Sequence, residues 1–328
     1  MIASIFMLSA LVLVRSKEVE GPFTIDFQNW LRSTEYADYD FPSLHLGDSA
    51  SFGGRTSADQ LIHREPVIFI HGNSDGALDE GNLYNSGWTA SIEHFMINGY
   101  SSAELYAFTW GDRDLSNSHS RTHSCAMMKR VRRFIDAVLA YTNATKVDII
   151  AHSMGVTLAR MAITGNIWND EIEDCFLGSP INGKIQSFVG IAGANYGMCL
   201  CTGEIANTLP ACKKHTGFFA GDSCQKVPKF PLSKSRFNFT CSDTPLNADC
   251  KVEYASNLMT LNKNRPKPAD RVYSMWSEDD EIIGVNSVWG RQTSLVPGSD
   301  DHRIFPGLKH HELKINTAAT QLEFVNRI

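Results

Sequence analysis

Three groups of residues in this chain have the types and the order for nucleophilic acyl chemistry. The first is Ser153, within Val147-Asp148-Ile149-Ile150-Ala151-His152-Ser153-Met154-Gly155, where an apolar, β-branched run stops and a helical pattern begins. A strand, a sharp turn and a helix in that order lift a serine hydroxyl to the end of a sheet. Small residues are needed two before and two after it, because the incoming strand and outgoing helix nearly touch. The usual pattern is Gly-x-Ser-x-Gly; here Ala151 takes the first position, which is tighter by one methyl but feasible. A serine hydroxyl is a poor nucleophile at neutral pH, so it needs a base, and the base needs an orienting carboxylate. With this kind of turn the partners follow as acid, then histidine.

Both partners occur in that order. Ser277-Glu278-Asp279-Asp280-Glu281-Ile282-Ile283-Gly284 follows an apolar strand pattern, and Asp280 is the preferred acid because Ile282 and Ile283 can pack the loop down. Asp279 is the alternative, ahead of Glu278 and Glu281. Pro306-Gly307-Leu308-Lys309-His310-His311 places two histidines just before a last helical pattern; His310 is the preferred base and His311 the alternative. His152 is read as a packing residue, and His63, His94, His119, His123, His215 and His302 as surface or structural. A developing oxyanion needs donors in place beforehand. The backbone N–H of Met154 is one candidate, and that of Asn73, after His71-Gly72, is the other, with the Asn73 side chain as an addition.

The elements that must position these groups are readable as alternating patterns. Pro66 to Ile70 is a continuous apolar run, as expected of a strand buried on both faces. Further strands are predicted at Leu105 to Trp110, at the run ending in Ser153, at Ile185 to Ala192 and at Arg271 to Trp276. Helical spacing covers Trp88 to Gly99, Thr122 to Tyr141, the stretch after Ser153 to Thr164, Ala255 to Asn262 and Leu313 to Val325. Residues before Arg64 read as mixed, with loops. The alternation predicts an α/β fold with a mostly parallel sheet covered on both faces.

Composition limits the partners. Of 328 residues, 43% are hydrophobic, enough for a large core, and a net charge of −6 argues against nucleic acid. The basic cluster Lys129, Arg130, Arg132 and Arg133 is read as a solvated helix face. Residues 1–16 form an apolar stretch of signal-peptide length, too short to span a bilayer, with the working domain expected at 17–328. Cys125 and Cys175 stand apart, while Cys199, Cys201, Cys212, Cys224, Cys241 and Cys250 crowd an insert at about 199–250. An even count behind a signal sequence reads as disulfides. A zinc site using that cluster and His215 lacks the two-residue cysteine spacing of common zinc knuckles, so no metal is expected. Asn143-Ala144-Thr145 and Asn238-Phe239-Thr240 are glycosylation sequons.

Taken with Val67 to Asn73, the Ala-His-Ser-Met-Gly turn at Ala151 to Gly155, the Asp280 loop and Gly307 to Leu313, the chain resembles the class 2 lipase family. Alanine in place of the first glycine is itself a mark of that group, which holds small lidless bacterial lipases and secreted animal relatives. The resemblance implies an α/β-hydrolase fold, a triad of Ser153, Asp280 and His310, oxyanion donors at Asn73 and Met154, and no cofactor. It also implies a secreted enzyme acting on a neutral ester or lipid, with transient contact with a lipid interface and no transmembrane segment. Greater length and the cysteine insert set the chain apart from the small bacterial members. The turn and the His-Gly-Asn strand end also resemble secreted polyester depolymerases. A general carboxylesterase, an amidase of the same fold and a non-catalytic binding protein are the further alternatives. Phe218, Phe219 and Phe230 would line a cleft or sit in the core.

Overall fold

Apolar runs without alternation can only be satisfied between two covering layers, and the chain builds its centre from five of them. The structure, a computed structural model, describes residues 19–171, 174–202, 205–221, 252–263, 266–283 and 287–327. The leader at 1–16, Phe230, the sequon at Asn238 and Cys224, Cys241 and Cys250 lie outside these residues.

The central sheet has strands β1 (Ser51–Phe52), β2 (Val67–Ile70), β3 (Leu105–Phe108), β4 (Val147–His152), β5 (Ile185–Ile191), β6 (Arg271–Ser277) and β7 (Asp301–Phe305). They lie in the order β1-β3-β2-β4-β5-β6-β7, all parallel except the antiparallel β1. β2, β3 and β4 are buried along their whole length. Helices α1 (Ile25–Arg32), α2 (Thr89–Ile97), α3 (Cys125–Thr142), α4 (Met154–Thr164), α5 (Ser256–Asn262), α6 (His310–Ile315) and α7 (Ala318–Val325) pack around it. α3 turns Met128, Val131, Phe134, Ile135 and Val138 inward, the stripe its spacing predicts, whereas α4 is buried on every side. This is the α/β-hydrolase architecture.

Several elements differ from the sequence reading. α1 occupies a region read as loops: Thr24 caps it by accepting from the Phe27 N–H at 3.4 Å, and Phe27 and Leu31 are buried. Eight residues with so short an inward stripe leave little periodicity to read. β7 is charged and mostly exposed; it is an edge strand that takes its hydrogen bonds from β6 whatever its side chains. The single last helix is two. Between them the Thr317 hydroxyl bonds the Leu313 carbonyl at 2.6 Å and the Gln321 amide bonds the Lys314 carbonyl at 2.8 Å, taking over carbonyls that a continuous helix would use.

The basic cluster is not a solvated face. Arg132 is buried and paired with Asp136 at 3.1 Å, and Arg130 reaches the carbonyls of Tyr39 and Asp40 and the Ser43 hydroxyl. Of the four, Lys129 alone is exposed. The arginines anchor the segment after α1 to α3. Disulfides join Cys125 to Cys175 and Cys201 to Cys212, and Cys199 is also disulfide-bonded. Phe218 and Phe219 are buried in the core, with Phe218 edge-on to His123.

Candidate active site

The order β3-β2-β4 reverses the direction of strand addition between β2 and β4, and such a reversal opens a crevice beyond the carboxyl ends of the strands. Ile70, the last residue of β2, lies opposite Ala151, so the chain leaves β2 through His71 and Gly72 beside the end of β4. Contact there is very close. A Cβ on Gly72 would stand 2.8 Å from the Ser153 Cβ, and one on Gly155 only 2.3 Å from the His71 carbonyl oxygen. Glycine is therefore required at both positions. Ser153 caps α4 with φ 53° and ψ −126°, and its N–H donates to the Ile191 carbonyl at 2.9 Å. A non-glycine residue in such a region costs on the order of 1–3 kcal/mol, held by the surrounding packing.

The same edge carries the acid and the histidines. Asp280, beyond β6, meets His310, at the start of α6: Nδ1 to Oδ2 is 2.8 Å and both side chains are 2% exposed. Asp280 Oδ1 also accepts from the N–H groups of Ile282 (2.9 Å) and Ile283 (2.8 Å). Backbone donors, more than the isoleucine side chains, thus fix the loop; Ile283 is buried but Ile282 is exposed. Burial opposes the charge on Asp280, yet the field of His310, its hydrogen bond and the two amides together hold the carboxyl below its usual range. Asp279 is exposed and accepts from the Gly307 N–H at 2.6 Å, Glu281 accepts from the His310 N–H at 3.1 Å, and Glu278 is exposed. Among the acids, then, Asp280 reaches the His310 ring. His311 points elsewhere, edge-on to Tyr84, and burial lowers it to about 4.

His152 does more than pack. Its Nε2 donates to the His310 carbonyl at 3.1 Å, and the two rings lie 4.6 Å apart, tying the end of β4 to the start of α6. Burial and then its histidine neighbours keep it neutral.

Donors are arranged around the strand ends. Met154 begins α4, where N–H groups have no partner within the helix. Asn73 follows a fixed peptide. The Trp110 N–H donates to His71 Nε2 at 3.0 Å, so Nδ1 carries the ring proton and donates to the Gly72 carbonyl at 2.7 Å. Burial depresses His71 to about 3, which keeps the ring neutral, while the Trp110 bond selects the tautomer. The Asn73 side chain is engaged away from any oxyanion: its amide donates to the Ser118 carbonyl at 2.8 Å and its oxygen accepts from Arg121 at 2.7 Å. Beneath the site, Lys314 and Asp75 form a fully buried ion pair between α6 and the loop after β2. Sequence reading found neither Arg121 nor this pair, since no local pattern marks a partner far along the chain. No group of three or more metal-binding side chains occurs among the described residues.

Comparison with known structures places lipases and esterases alongside this chain. Bacillus licheniformis lipase BlEst2 in its mature form shares 12% identity over 84% of this chain and 97% of that one, with TM-score 0.49. Bacillus subtilis carboxylesterase CesB shares 16% over 89% and 96%, with TM-score 0.40. Aspergillus fumigatus lipase B shares 11% over 78% of this chain, TM-score 0.40, and this chain spans 48% of its length. At these identities and TM-scores the structures carry no argument about this chain's activity or fold. The description of the class 2 lipases matches residues 64–323, which supports an ester hydrolase. This chain belongs to the class 2 lipase family.

Proposed function

We propose that the chain is a secreted serine ester hydrolase, a lipase acting on acylglycerols. His310 removes the proton of Ser153 as its oxygen attacks the ester carbonyl, and Asp280 orients the imidazolium that forms. The N–H groups of Asn73 and Met154 receive the oxyanion. Collapse of the tetrahedral intermediate expels the alcohol, which takes the proton from His310; a water activated by His310 then releases the acid from Ser153. The observation that carries this reading is the buried Asp280–His310 pair at 2.8 Å on the sheet edge where strained Ser153 stands.

A lipid ester is favoured by family membership and by exposed apolar side chains: Tyr84, edge-on to His311, is 47% exposed, its chain neighbour Leu83 46%, and Ile282, two residues past Asp280, 38%. These would meet a lipid interface transiently. Secretion is supported by the disulfides and by Asn143, whose sequon is exposed in a left-handed turn after α3. A leader at 1–16 and one catalytic domain at 17–328, with the cysteine-rich insert at about 199–250, complete the proposal.

The test is a substrate panel on purified protein: triacylglycerol emulsion, a soluble nitrophenyl ester and a peptide amide. Emulsion and soluble ester should turn over and the amide should not, with Ser153→Ala losing all ester turnover while its melting temperature stays near wild type. Soluble ester alone would point to a general carboxylesterase. Full activity in Ser153→Ala would end the serine reading.

A further inference from the structure

The loop that carries the proposed oxyanion donor is held by α6 through Asp75 and, along most of its length, by a strap from the segment after β3. Residues 112–121 leave the end of β3 and cross the loop after β2, and two arginines in this strap hold that loop. Arg113 donates to the Leu78 carbonyl at 2.8 Å and pairs with Glu80 at 2.8 Å. A Cβ on Gly76 would lie 2.5 Å from its guanidinium, so Gly76 leaves room for it. Arg121, 5% exposed, forks at the other end: Nη1 donates to Asn73 Oδ1 (2.7 Å) and Ser74 Oγ (2.6 Å). Nη2 pairs with Asp112 and donates to the Asp114 carbonyl at 2.6 Å. The Asn73 amide returns a bond to Ser118, closing the strap on itself. Ser74, next in the chain, has φ 63°, a left-handed conformation that needs an outside hold.

We propose that Arg121 is a positioning residue for ester hydrolysis: it sets the Asn73 peptide so that its N–H already faces the oxyanion. His71 fixes the carbonyl side of that peptide, and Arg121, through the Asn73 and Ser74 side chains, fixes the other. A donor aimed in advance lowers the barrier without reorganising, whereas a small misplacement forfeits much of the gain. The guanidinium suits the role because its planar fork serves four acceptors at once, which an ammonium cannot. This inference rests on the serine-hydrolase reading of the same site.

The experiment measures soluble nitrophenyl ester kinetics for Arg121→Met, Arg121→Lys and Asn73→Ala, with fluorophosphonate inactivation rates in parallel. Arg121→Met should lose roughly 10–100-fold in kcat with KM within about 3-fold of wild type, and inactivate slower to match. Asn73→Ala should behave alike, the double variant no worse than either single one, and Arg121→Lys should recover part of the loss. Should Arg121→Met not fold, Asn73→Ala carries the test alone. A lowered melting temperature with unchanged kcat, or a raised KM with unchanged kcat, would overturn the positioning role. Full turnover by Ser153→Ala would instead remove the site reading beneath it.

Discussion

Asp279 and Asp280 are adjacent acids with opposite situations, and the difference is one of hydrogen bonds. Asp280 is buried against the His310 ring and accepts two backbone N–H groups; Asp279 lies in solvent and holds the Gly307 amide. Removing the charge of Asp280 while keeping its shape should leave the imidazole in place but in the wrong tautomer. Asp280→Asn is expected to lower kcat by on the order of 10⁴-fold in steady-state ester assays, with KM little changed. Asp279→Asn is expected to stay within about 3-fold of wild type, as suits a solvated loop carboxylate. Comparable losses in both would move the orienting role away from Asp280. From sequence the two acids could be ranked only by the apolar residues that follow, because which one turns inward is settled by the Ile282 and Ile283 amides. His310 and His311 were separable for the same reason only once β6 and α6 were placed: one ring meets Asp280 and the other Tyr84.

β4 carries the proposed nucleophile at one end and a buried acid near the other. Asp148 is 2% exposed and accepts from the Ser187 N–H at 2.9 Å. Burial, and next the charge of Glu65, push its carboxyl up to about 7, against the pull of Ser187 and Arg271. Between the ordinary carboxylate pKa and about 7 the folded chain therefore binds a proton that the unfolded chain has lost, so this group's contribution to stability falls as pH rises. Asp148→Asn keeps an acceptor for Ser187 and has no charge to bury. Its stability relative to wild type should grow as pH rises from about 4 to 7 and level off above, with a limiting slope of about 1.4 kcal/mol per pH unit. Denaturant titrations across that range check it; a pH-independent difference would mean that Asp148 titrates normally. The interior strands were legible because burial on both faces forces unbroken apolar runs. β7 and α1 were not, since an edge strand and a short capped helix are specified by backbone pairing and by contacts such as Phe27 on Tyr106, which lie outside their own periodicity.

At the scale of the molecule, the reversal between β2 and β4 gathers loops from distant parts of the chain onto one sheet edge. The proposed nucleophile, acid and base each sit in a local context a sequence can display: a strand stopping at a small-residue turn, an acidic loop after a strand, a histidine before a helix. The supports do not. Arg121 on Asn73, His152 on the His310 carbonyl and Lys314 on Asp75 join segments whose proximity only the folded sheet creates, the last across a separation of 239 residues. The most direct measurement is covalent labelling with a fluorophosphonate followed by peptide mass spectrometry. A single adduct on Ser153 is expected, formed more slowly in Asp280→Asn and absent in Ser153→Ala. An adduct on another residue, or none while ester turnover continues, would contradict a serine mechanism at this strand end.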